Sequence, residues 1–271
     1  MSYKFLVLDI DGTATNSQKE ITPATKAAVI ELQEKGIPVA LASGRPTPGL
    51  APIADAFELE RFGGYTLSYN GAKIINWKSK ECIHNQTIPL HLPQSLYEDA
   101  CFYDVGIMTY SPDEKTLFCG RRIDPYIELE KRICGFELHM CNGDFPELIQ
   151  FPVTKCLFTG EPEDLERIEP DIARKYQHIA GVYRSDPYYL EVVPQNVTKA
   201  SCLSRLLPIL GLKREEMVCC GDGYNDVSMI QYAGLGVAMA NATKPVKQAA
   251  DYITLSCDED GVAHVIKKFF L

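Results

Sequence analysis

Hydrophobic residues in this chain come in short unbroken runs rather than in long stretches or in strict alternation. Phe5-Leu6-Val7-Leu8, Ile37-Pro38-Val39-Ala40-Leu41-Ala42 and Met217-Val218-Cys219-Cys220-Gly221 lack charge from end to end, as strands covered on both faces do. Between the first two, Thr22-Pro23 offers an N-cap and a proline for the first helical turn. Ala27, Ile30 and the pair Ala28 and Leu32 follow at helical spacing, and Gly36 closes the pattern. The spacing predicts strands over 4–9 and 37–42, a helix between Thr22 and Gly36, and a looser helical segment over 46–57. Short strands over 65–69 and 73–76 flank Asn70-Gly71, a strong signal for a tight turn. Towards the C-terminus the alternation resumes. A helix capped by Thr198 runs through Leu210 to Gly211, followed by a strand over 217–221, a helix over 226–233 and a short strand over 236–239. A helix over 243–250, a strand over 252–255 and a helix from about 260 to 270 complete it. Strands alternating with helices imply an α/β, doubly wound parallel sheet with helices on both faces.

The middle of the chain reads differently. Aromatic-rich short strands are predicted over 106–110, 117–119 and 188–193, with helices over 93–104, 124–133 and 163–176, all punctuated by prolines. This pattern suggests an α+β domain at 84–192 inserted between the two halves, 1–83 and 193–271, of a core domain. At 271 residues the chain is long enough to bury that much core.

Composition narrows the function classes. A net charge of −9 argues against a nucleic-acid footprint. None of the ten cysteines forms a C-x-x-C pair, so neither a zinc site nor a secreted disulfide framework is expected; reduced, mostly buried thiols are. No apolar run approaches the roughly 20 residues that span a bilayer, and the N-terminus lacks a secretory signal pattern. The expectation is a cytoplasmic protein without membrane or nucleic-acid partners, a monomer or weak homo-oligomer.

The first apolar run ends in Asp9-Ile10-Asp11-Gly12-Thr13. Two carboxylates at the tip of a buried strand repel one another and are costly to desolvate. A divalent cation between them inverts that local electrostatics. In an open α/β sheet ligands bind outside the carboxyl ends of the strands. Three further groups fall at such ends or beside them: Ser43-Gly44-Arg45, Lys199 at a helix start, and Gly221-Asp222-Gly223-Tyr224-Asn225-Asp226. A lysine at a helix N-terminus opposes the helix dipole, so a compensating anion is a reasonable demand.

With DIDGT, SGR, a lone lysine and GDGYND in that order, the chain resembles the haloacid dehalogenase superfamily, in particular its Cof-type phosphatases. Tyr69-Asn70-Gly71-Ala72 and Leu190-Glu191-Val192-Val193-Pro194 extend the match to essentially the whole chain. The resemblance implies a Rossmann-like core with an α+β cap between the second and third motifs, and hydrolysis of small phosphorylated metabolites with magnesium. It implies Asp9 as nucleophile, forming an aspartyl-phosphate, and Asp11 as general acid and then base, its backbone carbonyl on the metal. Lys199 would bridge Asp9 and phosphate. Asp222 would complete the magnesium set, and Asp226 would order metal-bound water from behind. Thr13, Ser43, Gly44, Arg45, Asn70, Gly71 and Asn225 would line the phosphate and substrate, with Arg45 alternatively tying core to cap and Asn70-Gly71 alternatively an ordinary turn. Ala14 and Asn196 depart from the family pattern, at positions where relatives often have Leu and Gly. Cap candidates for substrate contact are Arg121, Arg122, His139, Tyr183, Arg184 and Tyr188, none singled out by pattern. Hexose phosphomutases share this core, and a non-catalytic metabolite-binding protein on the same fold is the third reading.

Overall fold

The chain builds half of one folded unit, the whole of a second, and then the rest of the first. In the computed structural model, which describes residues 3–271, the first unit runs to His84 and resumes at Thr198, and the second is Asn85–Val197. The opening half holds β1 (Phe5–Leu8), α1 (Pro23–Glu34), β2 (Val39–Ala42), α2 (Thr47–Ala56), α3 (Leu59–Phe62), β3 (Tyr65–Ser68), β4 (Lys73–Asn76) and β5 (Cys82–Asn85). The second unit contributes α4 (Leu92–Tyr103), β6 (Gly106–Tyr110), β7 (Thr116–Gly120), α5 (Pro125–Cys134), β8 (Glu137–Cys141) and α6 (Phe145–Leu148). It continues with β9 (Cys156–Thr159), α7 (Pro162–Tyr176), β10 (Ala180–Asp186) and β11 (Tyr189–Pro194). The first unit is then completed by α8 (Lys199–Leu210), β12 (Met217–Gly221), α9 (Val227–Tyr232), β13 (Leu235–Ala238), α10 (Lys244–Ala249), β14 (Tyr252–Ile253) and α11 (Gly261–Phe269).

The fold is α/β with a parallel sheet at its core. The first unit's sheet has eight strands in the order β14-β13-β12-β1-β2-β3-β4-β5. Pairing is parallel from β14 to β3 and antiparallel between β3 and β4, so the parallel sheet expected from the alternation carries an antiparallel extension. The short turn at Asn70 makes that reversal, because a parallel return needs a crossover of a dozen or more residues. Every residue of β1 and β2 is buried, which explains their unbroken apolar runs. Helix boundaries follow the capping signals. Thr22 accepts a hydrogen bond from Thr25 N at 3.2 Å, and Thr198 forms a reciprocal capping box with Ser201. Gly211 ends α8 in the left-handed conformation.

The second unit is a six-stranded sheet in the order β10-β11-β9-β6-β7-β8, antiparallel except where β7 meets β8. Helices α4, α6 and α7 cover one face, packing Leu96, Phe145, Leu165 and Ile168 against Ile107, Phe158 and Leu190. Two of the strands missing from the sequence reading, β8 and β10, are edges with exposed residues, so they lack a buried run. β5, a third, is the corresponding edge of the first unit's sheet. β9 is interior but only four residues long. β11 pairs with β10 as far as Pro194, so a boundary at 192/193 falls inside a strand.

Glu191 lies between Leu190 and Val192, which face the helices, so its side chain points to the opposite face of the second sheet. There Lys155 Nζ donates to Glu191 Oε1 at 2.9 Å, and Tyr183 Oη donates to Glu191 Oε2 at 3.3 Å. The side chains of Lys155 and Glu191 are only 3% and 6% exposed. Burial pushes the Lys155 ammonium down, but Glu191 and Glu130 outweigh it and hold Lys155 above its ordinary value. Removing one partner of such a pair leaves a charge buried alone. Lys155→Met is expected to destabilise the protein by about 3–5 kcal/mol, and a compensating Glu191→Leu to recover most of the loss. Urea denaturation of the single and double variants checks this; an undiminished single variant would show the pair to be dispensable.

Candidate active site

Strands β12, β1, β2 and β3 are consecutive neighbours and all parallel, so the loops after them emerge side by side along one edge of the sheet. These loops begin with Asp222, Asp9, Ser43 and Tyr69-Asn70. With neighbouring strands about 4.8 Å apart, residues distant in sequence are forced within side-chain reach. Asp9 N donates to Cys220 O at 3.0 Å, which continues the β1–β12 ladder to the tip of the strand.

Lys199, the first residue of α8, is fully buried. Its Nζ donates to Asp9 Oδ1 at 2.6 Å and to Asp226 Oδ1 at 2.5 Å. Gly71 makes this placement possible. Its φ is +99°, and a Cβ there would stand 2.5 Å from Cys202 Cβ and 2.9 Å from the Thr198 carbonyl. The residue expected at the substrate mouth is therefore buried against the first turn of α8, as a spacer that lets this turn approach. Burial pushes the Lys199 ammonium down, but Asp226 and Asp9 outweigh it and hold it above its ordinary value. Burial, and next the Asp226 charge, raise the Asp9 carboxyl well above the usual carboxylate range despite Lys199.

Asp226 is fully buried and spends both oxygens on the protein. Oδ1 takes the Lys199 bond, while Oδ2 accepts from Asp222 N at 2.9 Å and Gly223 N at 2.8 Å. Asp222 Oδ1 accepts from Thr13 Oγ1 at 3.0 Å, so the Thr13 hydroxyl is committed to this carboxylate rather than to phosphate. Gly12, at φ +78°, lets the two loops meet, since a Cβ there would lie 2.5 Å from Asp222 Oδ2. Burial, with the Asp226 charge, pushes Asp222 up to about 6.

Ligand oxygens of Asp9, Asp222 and Asp226 lie within 4.8 Å of one another. Three carboxylates share the neighbourhood of one ammonium, and with Asp226 committed to the protein the oxygens of Asp9 and Asp222 are the donors left for an ion. That set fits a hard divalent cation. Asp11 does not bring its carboxylate into the cluster. Arg45 Nε donates to its Oδ2 at 2.9 Å, and Arg45 Nη2 and Lys19 Nζ both reach its Oδ1 at 2.6 Å. Burial raises the Asp11 carboxyl, but these hydrogen bonds prevail and hold it below its ordinary value. Arg45 also donates from Nη1 to Gly49 O at 3.2 Å in the first turn of α2, so its guanidinium ties Asp11 to that helix.

Ser43 is buried, and its Oγ accepts from Arg45 N at 3.2 Å, leaving its O–H to donate. Asn70, at φ 55°, accepts from Asn225 Nδ2 at 2.9 Å, and Gly44 runs against the Asn70 amide. Asn196 adopts φ 60°, in the left-handed region that asparagine tolerates better than other non-glycine residues. Two residues escaped the sequence reading. Lys19 is delivered by a turn in which Asn16 Oδ1 accepts from Gln18 N and Glu20 N, a pattern visible only once the turn is seen. Asn241 donates from Nδ2 to Gly12 O at 2.8 Å, across 229 positions of sequence. Among the described residues no helix is long and apolar enough to cross a membrane.

A sequence-family model described as haloacid dehalogenase-like hydrolase matches residues 6–266. The chain is 31% identical over 276 residues to YxeH of Bacillus subtilis, covering 99% of each protein. A solved haloacid dehalogenase-like hydrolase from Bacteroides thetaiotaomicron superposes with a TM-score of 0.93 at 46% identity, over 99% of this chain and 100% of that one. BT4131, described as a subclass IIB sugar phosphatase, superposes with a TM-score of 0.77 at 26% identity, over 98% of each chain.

The raised Asp222 value makes a prediction for metal-free protein. Stability tied to a raised carboxyl is fully present below the unfolded value, near 3.8, and is lost as pH rises through about 6. Asp222→Asn removes that loss. In chelator near neutral pH the variant is expected to exceed the parent by about 1–2 kcal/mol once solvent screening is allowed for, and to match it in acid below pH ~4. Urea denaturation at the two pH values checks this; parallel pH slopes for parent and variant would contradict it.

Proposed function

We propose, from the premise that the chain belongs to the haloacid dehalogenase-like hydrolases and is a phosphatase of that type, that it is a magnesium-dependent phosphomonoesterase of small phosphorylated metabolites. The proposed route runs through an aspartyl-phosphate on Asp9. Sugar phosphates are the favoured substrate class, on the likeness to a sugar phosphatase. The observation that carries this reading is the Asp9 carboxylate at the tip of β1, gripped through one oxygen by a fully buried ammonium at 2.6 Å.

With Oδ1 held by Lys199, Oδ2 of Asp9 is the oxygen positioned to form a bond to phosphorus as the ester oxygen leaves. The Lys199 charge offsets the negative charge on the transferring phosphoryl group. Ser43 and the paired amides of Asn70 and Asn225 are suited to donate to phosphoryl oxygens. Asp11 gives a proton to the departing alkoxide and later takes one from the water that cleaves the aspartyl-phosphate. The Arg45 and Lys19 bonds hold Asp11 as a carboxylate, the form needed to activate that water. The first half-reaction therefore requires Asp11 to leave this clamp and take up a proton. Asp9, Asp222 and the Asp11 carbonyl would hold magnesium, with Asp226 bracing their loops from behind, and the ion would supply positive charge against the phosphate dianion. The second unit, residues 85–197, is read as the cap that selects the leaving group.

Phosphate release from a panel of sugar phosphates and other small esters tests the reading. Release is expected with magnesium and not with chelator. Asp9→Asn is expected to abolish it, and Asp11→Ala to lower kcat by about 10²–10⁴. Full activity in Asp9→Asn would remove the nucleophile. Interconversion of hexose phosphates without net phosphate release would favour a mutase.

A further inference from the structure

The carboxylates of the proposed metal site sit on two loops, one after β1 and one after β12, and a third loop grips both. This third loop, between β13 and α10, reaches the first through Asn241 Nδ2, which donates to Gly12 O at 2.8 Å. It reaches the second through Thr243 N, which donates to Asp222 O at 3.0 Å. Asn241 is itself anchored from behind, because its Oδ1 accepts from Cys257 N at 2.9 Å. Its amide thus spans from the turn at 256–259 to the peptide that joins Gly12 to Thr13.

Gly12 is the point where this matters. Its left-handed backbone and missing Cβ let Asp222 come close, but they also leave the peptide poorly restrained, since glycine loses the most conformational freedom on ordering. A side-chain amide bonded to the Gly12 carbonyl restores that restraint at the junction between the Asp9 and Asp222 loops. We propose that Asn241 is a positioning residue for the metal site: by holding the Gly12 carbonyl it sets the distance between the Asp9–Asp11 loop and Asp222. This inference rests on the proposed function, in that Asp9 and Asp222 hold a divalent cation. Asn241 acts through Gly12 and touches none of the reacting groups. Its side chain is exposed, so its replacement leaves the core untouched.

The test measures Mg²⁺ binding directly, by titration calorimetry on the full chain, alongside the melting temperature in chelator. Loss of a group that orients metal ligands typically weakens affinity about 10–100-fold, and Asn241→Ala and Asn241→Ser are each expected to fall in that range. Both are expected to melt with the parent in chelator and to keep the parent KM for p-nitrophenyl phosphate once Mg²⁺ is saturating. Ser256→Ala serves as the control, because Ser256 Oγ donates to Glu259 within the same supporting turn and makes no contact with Gly12. It is expected to bind Mg²⁺ as the parent does. Parent-like Mg²⁺ affinity in the Asn241 variants, or an equal loss in Ser256→Ala, would overturn the proposal. A parent that binds no Mg²⁺ would overturn the metal reading itself, and the inference with it.

Discussion

The buried ammonium of Lys199, shared between Asp9 and Asp226, is the interaction on which the rest of the site depends. A charge removed from water is stable only with close partners, so the fold must bring two carboxylates to it from two separate loops. Adjacent parallel strands β1 and β12 deliver them. The capping box at Thr198 fixes where α8 begins, and Gly71 clears the space for that first turn. Loosening any of these supports would leave a lysine, an aspartate, or both buried without a partner.

Four aspartates stand within a few residues of one another in two motifs, and their surroundings give each a different task. Asp226 is consumed by the protein, bonded to Lys199 and to two backbone N–H groups, so it braces the GDGYND loop. Asp11 is held by two cations and turned from the cluster. Asp9 and Asp222 carry the raised carboxyls, the mark of negative charge short of positive charge. A divalent cation would answer that shortage, and its binding would couple the chemistry of the site to the stability of the loops that form it.

The parts of the fold governed by local rules were legible in the sequence. Thr198 and Gly211 bracket α8 because capping depends on a few neighbouring residues, and the buried runs of β1, β2 and β12 need only burial on both faces. The same limit explains the omissions. β8 and β10 are edge strands with polar, exposed positions, so their strand character comes from pairing partners far away in the chain. At the site, residue identity and order pointed to Asp9, Asp222, Asp226 and Lys199, which the fold brings together. Orientation was beyond reach: that Thr13 bonds Asp222, that Arg45 grips Asp11, and that Gly71 faces α8 are consequences of tertiary packing. Lys19 and Asn241 belong to no motif: Lys19 is returned to Asp11 by a local turn, and Asn241 reaches Gly12 only because the fold brings distant segments together.

The central claim is that Asp9, backed by Lys199, is the atom-bearing site of phosphoryl transfer. Fluorine NMR of the protein with beryllium fluoride, which mimics a phosphoryl group on a carboxylate, tests it most directly. The account predicts a bound fluoride signal in the parent that requires Mg²⁺, is lost in Asp9→Asn and is weakened in Lys199→Met. The same Mg²⁺-dependent signal in Asp9→Asn would contradict it.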